Sequence, residues 1–131
     1  MNADPLKMSR FAGPFHALLR IVAGLLFLEH GTMKLLNFPP SEMHPPVGSL
    51  FWIGGVLELV GGFMAMIGLL TRPVAFLLAG EMAVAYWMVH ASQSMYPAIN
   101  QGDAAILFCF VFLWLSAAGS GPWALDSRAK R

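Results

Sequence analysis

Eight ionisable residues lie inside long apolar stretches of this 131-residue chain. They are Arg20, Glu29, His30, Lys34, Glu58, Glu81, His90 and Asp103. Ionisable groups in such surroundings are energetically costly, and they usually mark ion, proton or ligand sites. Histidine titrates near neutral pH and burial shifts glutamate toward that range. The set is therefore suited to exchanging protons with a small bound ligand.

The composition indicates that these residues belong to a membrane protein. Hydrophobic residues make up 57% of the chain, charged residues only 11%, and the mean hydropathy is +0.64. Ordinary soluble chains carry about 25% charged residues. A net charge of +1 without a basic stripe excludes a nucleic-acid partner. The single cysteine, Cys109, excludes an intramolecular disulfide, a CxxC redox pair and a cysteine-based metal site.

Four apolar stretches must position the ionisable residues. A transmembrane helix needs about 20 mostly apolar residues, and the sequence predicts spans at 15–37, 48–70, 73–95 and 101–119, separated by breaks rich in Pro and Gly. We therefore predict one all-α domain over residues 1–131, an integral membrane four-helix bundle. Its partners are then the lipid bilayer and, as open possibilities, a redox subunit or further copies of the chain.

The basic residues outside the spans predict the orientation. Lys7 and Arg10 precede the first span, Arg72 separates the second from the third, and three more basic residues follow the fourth at 128–131. The opposite loops contain no Lys or Arg. Because basic loops stay in the cytoplasm, both termini are expected there.

Counting along each span at about 1.5 Å per residue sorts the ionisable residues by depth. One group falls in the outer half of the membrane and predicts an outward-facing polar pocket: Lys34, His30, Glu29, Glu58, His90 and Asp103. Arg20 and Glu81 fall at similar depths in the inner half and are predicted to pair. Simpler roles stay open, because buried charges also hold helices in register, histidines sit in cores and Asp103 can cap the fourth span.

Helical periodicity predicts which side of each span faces the others. Arg20, Gly24, Phe27, Gly31 and Lys34 share one stripe of the first span. The second span has a face of small residues that includes Glu58: Gly54, Glu58, Gly61, Gly62, Ala65 and Gly68. Such faces allow close helix contact, so Glu58 is expected to pack against a helix and not against lipid.

Three motifs resemble a known family. The first span reads LRIVAGLLFLEHG from Leu19, with Lys34 after it. The second reads GGVLELVGG from Gly54, followed by GLLTRP from Gly68. The segment GPWALD follows the fourth span. Over Leu19 to Asp126 this arrangement resembles the DoxX family of small bacterial membrane proteins.

The resemblance implies a four-helix protein of the bacterial inner membrane. The family takes its name from a subunit linked to thiosulfate:quinone oxidoreduction, and other members are associated with membrane redox complexes. Arg20, His30, Lys34, Glu58 and Arg72 match characteristic positions of the family. The resemblance therefore implies a component of a membrane redox system that handles a quinone or a small sulfur anion.

For that function we assign proton exchange to Glu58, His90 and His30. Ligand contacts are assigned to Arg20, Lys34, Glu29, Glu81, Asp103, Tyr86 and Trp87. No metal site is predicted. A quinone is the candidate cofactor, while haem held by His30 and His90 is disfavoured. Two other functions stay open: a non-enzymatic scaffold that binds a partner's transmembrane helix, and a small-ion or small-solute transporter.

Overall fold

The computed structural model describes residues 4–129, and all regular elements within them are helices. A 3₁₀ turn, Met8–Phe11, leads into the first helix. The helices are α1 (Ala12–Leu36), α2 (Leu50–Ile67), α3 (Thr71–Ala85), α4 (Pro97–Asn100), α5 (Asp103–Ala118) and α6 (Leu125–Arg128). A π-helical turn, Tyr86–His90, extends α3. The predicted all-α class is confirmed.

Helices α1 and α2 run antiparallel in close contact through their glycines. A Cβ atom added at Gly24 would lie 2.6 Å from the backbone nitrogen of Met66, and one at Gly31 would lie 2.6 Å from the Cα of Leu59. One at Gly62 would lie 2.6 Å from the backbone nitrogen of Leu28. Non-bonded atoms essentially never approach a Cβ atom to less than 3.0 Å, so these positions accept only glycine at this helix separation.

The other main pairing is α3 with α5, and α2 also packs on α3. Phe27 of α1 reaches across to α5, where its ring centroid lies 4.7 Å from that of Phe112 and 4.9 Å from that of Phe108. The buried core between the helices consists mainly of these aromatic residues, small residues such as Ala65 and Ala75, and Leu78. Small residues therefore set the helix spacing and aromatic residues fill the centre.

The end of the molecule where α1 begins and α6 lies, here the terminal end, is closed by two charged residues. Arg20 is fully buried and donates to the carbonyl oxygens of Ser120, Pro122 (3.0 Å) and Trp123 (2.8 Å). Asp126 accepts from the backbone N–H groups of Leu70 (2.9 Å) and Thr71 (2.8 Å).

The Asp126 carboxylate thereby caps the start of α3, where the helix dipole favours a negative charge. At the same end, the Arg72 side chain donates to the carbonyl oxygens of Ser116 and Ala117 in the last turn of α5. These contacts tie the start of α3 to the end of α5.

At the opposite end, the loop end, the chain passes through residues 37–49 and 86–102. Here α3 differs from the predicted span 73–95, because regular helix stops at Ala85 and the π turn stops at His90. His90 Nδ1 lies 2.9 Å from the carbonyl oxygen of Asn100, which ties the π turn to the segment before α5. This hydrogen bond lies at the end of the π turn, where the chain leaves the regular α-helix.

Three helical segments are long and apolar enough to cross a membrane: Met8–Leu36, Leu50–Ile67 and Thr71–His90. The fourth apolar helix, Asp103–Ala118, is shorter. Large apolar side chains are exposed along all four, as on a surface that contacts lipid.

Gly31→Ala is expected to destabilise the protein by about 1–3 kcal/mol, because the added methyl group must push α1 away from α2. Thermal unfolding in detergent, followed by circular dichroism, measures the effect. Gly80→Ala is the matched control, since a Cβ atom there meets nothing within 4 Å. Equal melting temperatures for the two variants would contradict the glycine-set contact.

Candidate functional site

A cavity of about 790 Å³ opens among the helices toward the loop end. Most of its wall is apolar, with Phe51, Leu57, Met82, Met88 and Phe108 among the lining residues. Polar side chains reach it from α1, α2, α3, the π turn and the segment before α5: His30, Lys34, Glu58, Glu81, His90 and Gln101. A mostly apolar pocket with a few converging polar groups is the usual form of a small-molecule site.

An ion pair between α1 and α2 forms part of the cavity lining. Lys34 Nζ lies 2.8 Å from Glu58 Oε1, and the two side chains are 14% and 4% exposed. The pair exists because the glycine contact brings the two backbones together at this level. Gly55, one turn before Glu58, packs directly on the Lys34 stem, where an added Cβ would lie 3.1 Å from the Lys34 Cβ.

A second carboxyl group joins this pair from α3. The Glu81 side chain lies close enough to Glu58 and Lys34 to interact electrostatically with both. It fits against α2 where Gly54 leaves space, since a Cβ there would lie 3.2 Å from Glu81 Oε1. The site therefore brings two acids and one ammonium group together.

Both acids retain unused bonding capacity. Glu58 Oε2 and Glu81 Oε2 are buried and have no hydrogen-bond partner among residues 4–129. Buried polar atoms are normally satisfied, so these two oxygens leave unused hydrogen-bonding capacity on two residues that line the cavity.

His90 is oriented by a network at the loop end. Its Nδ1 donates to the carbonyl oxygen of Asn100, which leaves Nε2 as the ring atom able to exchange a proton. Asn100 is itself buried and fixed, because Oδ1 accepts from the Gly102 N–H (2.8 Å) and Nδ2 donates to Ser94 (3.0 Å) and Tyr86 (3.3 Å). Sequence analysis did not single out Asn100, although its position beside Gly102 and before α5 was a capping pattern.

The predicted Arg20–Glu81 pair is not formed. Arg20 binds backbone carbonyls at the terminal end, with Asp126 nearby, whereas Glu81 lies with Glu58 and Lys34. Equal depth was the basis of the prediction, but α1 packs mainly on α2 and α3 mainly on α5. Arg20 therefore lies outside the cavity and Glu81 lies inside it.

Four other predicted ligand contacts are not among the cavity-lining residues. Glu29 is exposed on α1, and Asp103 is exposed in the first turn of α5. Trp87 is 72% exposed. Tyr86 packs against Trp87 and His90 and binds Asn100. The structure brings together His30, Lys34, Glu58, Glu81 and His90 from the predicted set and adds Gln101.

Within residues 4–129, no group of three or more His, Cys, Asp or Glu side chains is arranged to hold a metal ion.

The helices that carry these groups match a known family model. The model described as DoxX matches residues 15–91, from α1 through the π turn. This chain belongs to the DoxX family. The match includes every acid, lysine and histidine of the cavity.

Two curated relatives match this chain over most of their own length and most of its length. The chain is 37% identical over 128 residues to an uncharacterized protein of Haemophilus influenzae, covering 93% of this chain and 96% of the relative. It is 28% identical over 142 residues to an uncharacterized membrane protein of Mycobacterium tuberculosis, covering 86% and 80%. No solved structure matches the chain. The DoxX protein is thus a membrane protein whose relatives span nearly the same length.

Lys34→Met is expected to destabilise the DoxX protein by about 3–5 kcal/mol, because Glu58 would keep a buried charge without its partner. The double variant Lys34→Met/Glu58→Gln should regain much of that loss, since neither charge remains. Thermal unfolding in detergent measures both. A single variant as stable as the wild type, or a double variant worse than the sum of the two single variants, would contradict the buried pair.

Proposed function

We propose that this DoxX protein is the quinone-binding component of a membrane redox system. The observation that supports this most strongly is the Glu58–Glu81 carboxyl pair beside Lys34 in a mostly apolar cavity. A quinone combines an apolar ring, which suits the walls, with carbonyl oxygens that accept hydrogen bonds from a protonated acid or from lysine. The proposal assigns ring contacts to Phe51, Met82 and Phe108.

The charges of the cavity favour a quinone over a small sulfur anion. Lys34 is already neutralised by Glu58 at 2.8 Å, and Glu81 adds a second acid. An anion would have to enter next to these two carboxyl groups, where Lys34 is already paired. A neutral headgroup that takes up protons meets no such barrier.

Quinone reduction needs two electrons and two protons. In this proposal one proton comes from Glu58 or Glu81, and His90 supplies the second through Nε2 when it is protonated. Electrons come from a redox partner outside this chain, because Cys109 alone cannot act as a dithiol donor. The chain's part is then to bind the headgroup and to exchange protons.

The topology in this proposal is four spans in the bacterial inner membrane, with α5 as the short fourth span. Lys7, Arg10 and Arg72 lie at the terminal end, and this distribution of basic residues supports a cytoplasmic position for that end. The cavity then opens toward the periplasmic half of the membrane.

Glu58→Leu and Glu81→Leu should each weaken quinone binding about threefold to tenfold, because leucine cannot donate the hydrogen bond of the protonated acid and a neutral hydrogen bond contributes about 0.5–1.5 kcal/mol. Quenching of tryptophan fluorescence by a short-chain ubiquinone or menaquinone analogue measures the affinity in detergent. Glu29→Leu is the matched control, since that acid lies on α1 outside the cavity. Equal affinity in all four proteins would exclude the assigned site, and loss of a co-purifying protein without loss of quinone binding would favour a scaffold.

Reporter fusions test the orientation separately. Green fluorescent protein fused to the C-terminus is expected to fluoresce, while alkaline phosphatase fused there should be inactive, because the terminal end lies in the cytoplasm. A fusion of phosphatase after residue 42, in the loop between α1 and α2, should be active. The reverse pattern would place the cavity on the cytoplasmic side.

A further inference from the structure

The outward side of α1 carries a heptad pattern. Spacings of three and four alternate along one stripe: Phe15, Leu18, Val22, Leu25, Glu29, Thr32 and Leu36. All of these side chains are exposed except Thr32, which is partly buried. A repeat of seven with apolar residues at its first and fourth positions is the seam along which two helices pair.

Glu29 occupies one of the seam's core positions at the middle of the helix bundle. Gly31 contacts Leu59, and Leu28 contacts Gly62, so Glu29 lies level with the residues between them. That level is about 15 Å from the start of α2, a helix of 18 residues. The carboxyl group is therefore near mid-depth, too far from either end of α2 for a short side chain to reach water.

The described residues do not compensate this acid. Its carboxyl group has no hydrogen-bond or ion-pair partner within residues 4–129, and its neighbours on the seam are Leu25 and Thr32, followed by Val22 and Leu36. Ionisable groups inside a membrane almost always face protein or water and not lipid. The position of Glu29 therefore favours a helix that covers the seam.

We infer that the covering helix is α1 of a second copy of this chain, packed in parallel along the seam. Two copies inserted in the same orientation bring identical residues to the same depth, so Glu29 of one copy meets Glu29 of the other. Two carboxyl groups that share a proton satisfy each other, and a single polar core position fixes register and the number of strands. No outside partner has to supply a matching group.

This dimer is compatible with the cavity. The seam lies opposite the buried stripe of α1 that contains Arg20, Phe27 and Gly31. Pairing along it would leave α2, α3 and α5 unobstructed. The inference therefore does not depend on the proposed quinone site, and either can fail without the other.

Fluorescence energy transfer between donor-labelled and acceptor-labelled full-length protein in liposomes tests the dimer. Glu29→Leu should weaken association about tenfold or more, because the shared hydrogen bond is lost. Glu29→Gln should retain it, since paired amides also hydrogen-bond across helices. Wild-type protein that stays monomeric over the same dilution range, or Glu29→Leu that associates like the wild type, would overturn the inference.

Cysteine cross-linking tests the seam itself, in a Cys109→Ser background. Val22→Cys is expected to form a disulfide-linked dimer on mild oxidation in native membranes. Leu113→Cys, exposed on α5 outside the seam, is the matched control and should stay largely monomeric. Equal cross-linking at both positions would overturn the interface. The interface would also be overturned if Val22→Cys became disulfide-linked only to other proteins and not to a second copy of the chain.

Discussion

The close approach of α1 and α2 is the constraint on which the rest of the molecule depends. An ion pair buried among apolar helices needs both partners within about 3 Å and little water. Side chains at Gly24, Gly31 or Gly62 would force the helices apart. The same glycines thereby set the distance at which Lys34 reaches Glu58. The glycines between α1 and α2 therefore determine both the helix packing at the centre of the bundle and the Lys34–Glu58 ion pair at its loop end.

The charged residues at the two ends of the bundle have different surroundings. At the terminal end, Arg20 is matched by backbone carbonyls and Asp126 caps α3, so polar groups are used to join loops to helices. At the loop end, Glu58 and Glu81 each keep one buried oxygen without a hydrogen-bond partner within residues 4–129, beside a cavity. Arg20 Nε and Thr71 Oγ1 at the terminal end also lack a partner there, so the difference between the two ends is the cavity beside the acids.

The sequence predicted helix positions and faces better than it predicted neighbours. Periodicity identified the buried stripe from Arg20 to Lys34 and the small-residue face around Glu58, because side-chain direction follows the helical repeat. It could not show that α3 packs on α5 more than on α1, so Arg20 was paired with Glu81 from depth alone. It also could not show the π turn, since the tie between His90 and Asn100 is a tertiary contact.

Glu81 is the residue that a purely structural role of the Lys34–Glu58 pair does not explain. Lys34 and Glu58 alone would already form a neutral pair joining α1 to α2. A second buried carboxyl group adds desolvation and like-charge repulsion, both of which oppose folding. Gly54 leaves the space that this carboxyl group occupies. Because the arrangement works against stability, the second carboxyl group is the physical reason why we propose the function at this cavity.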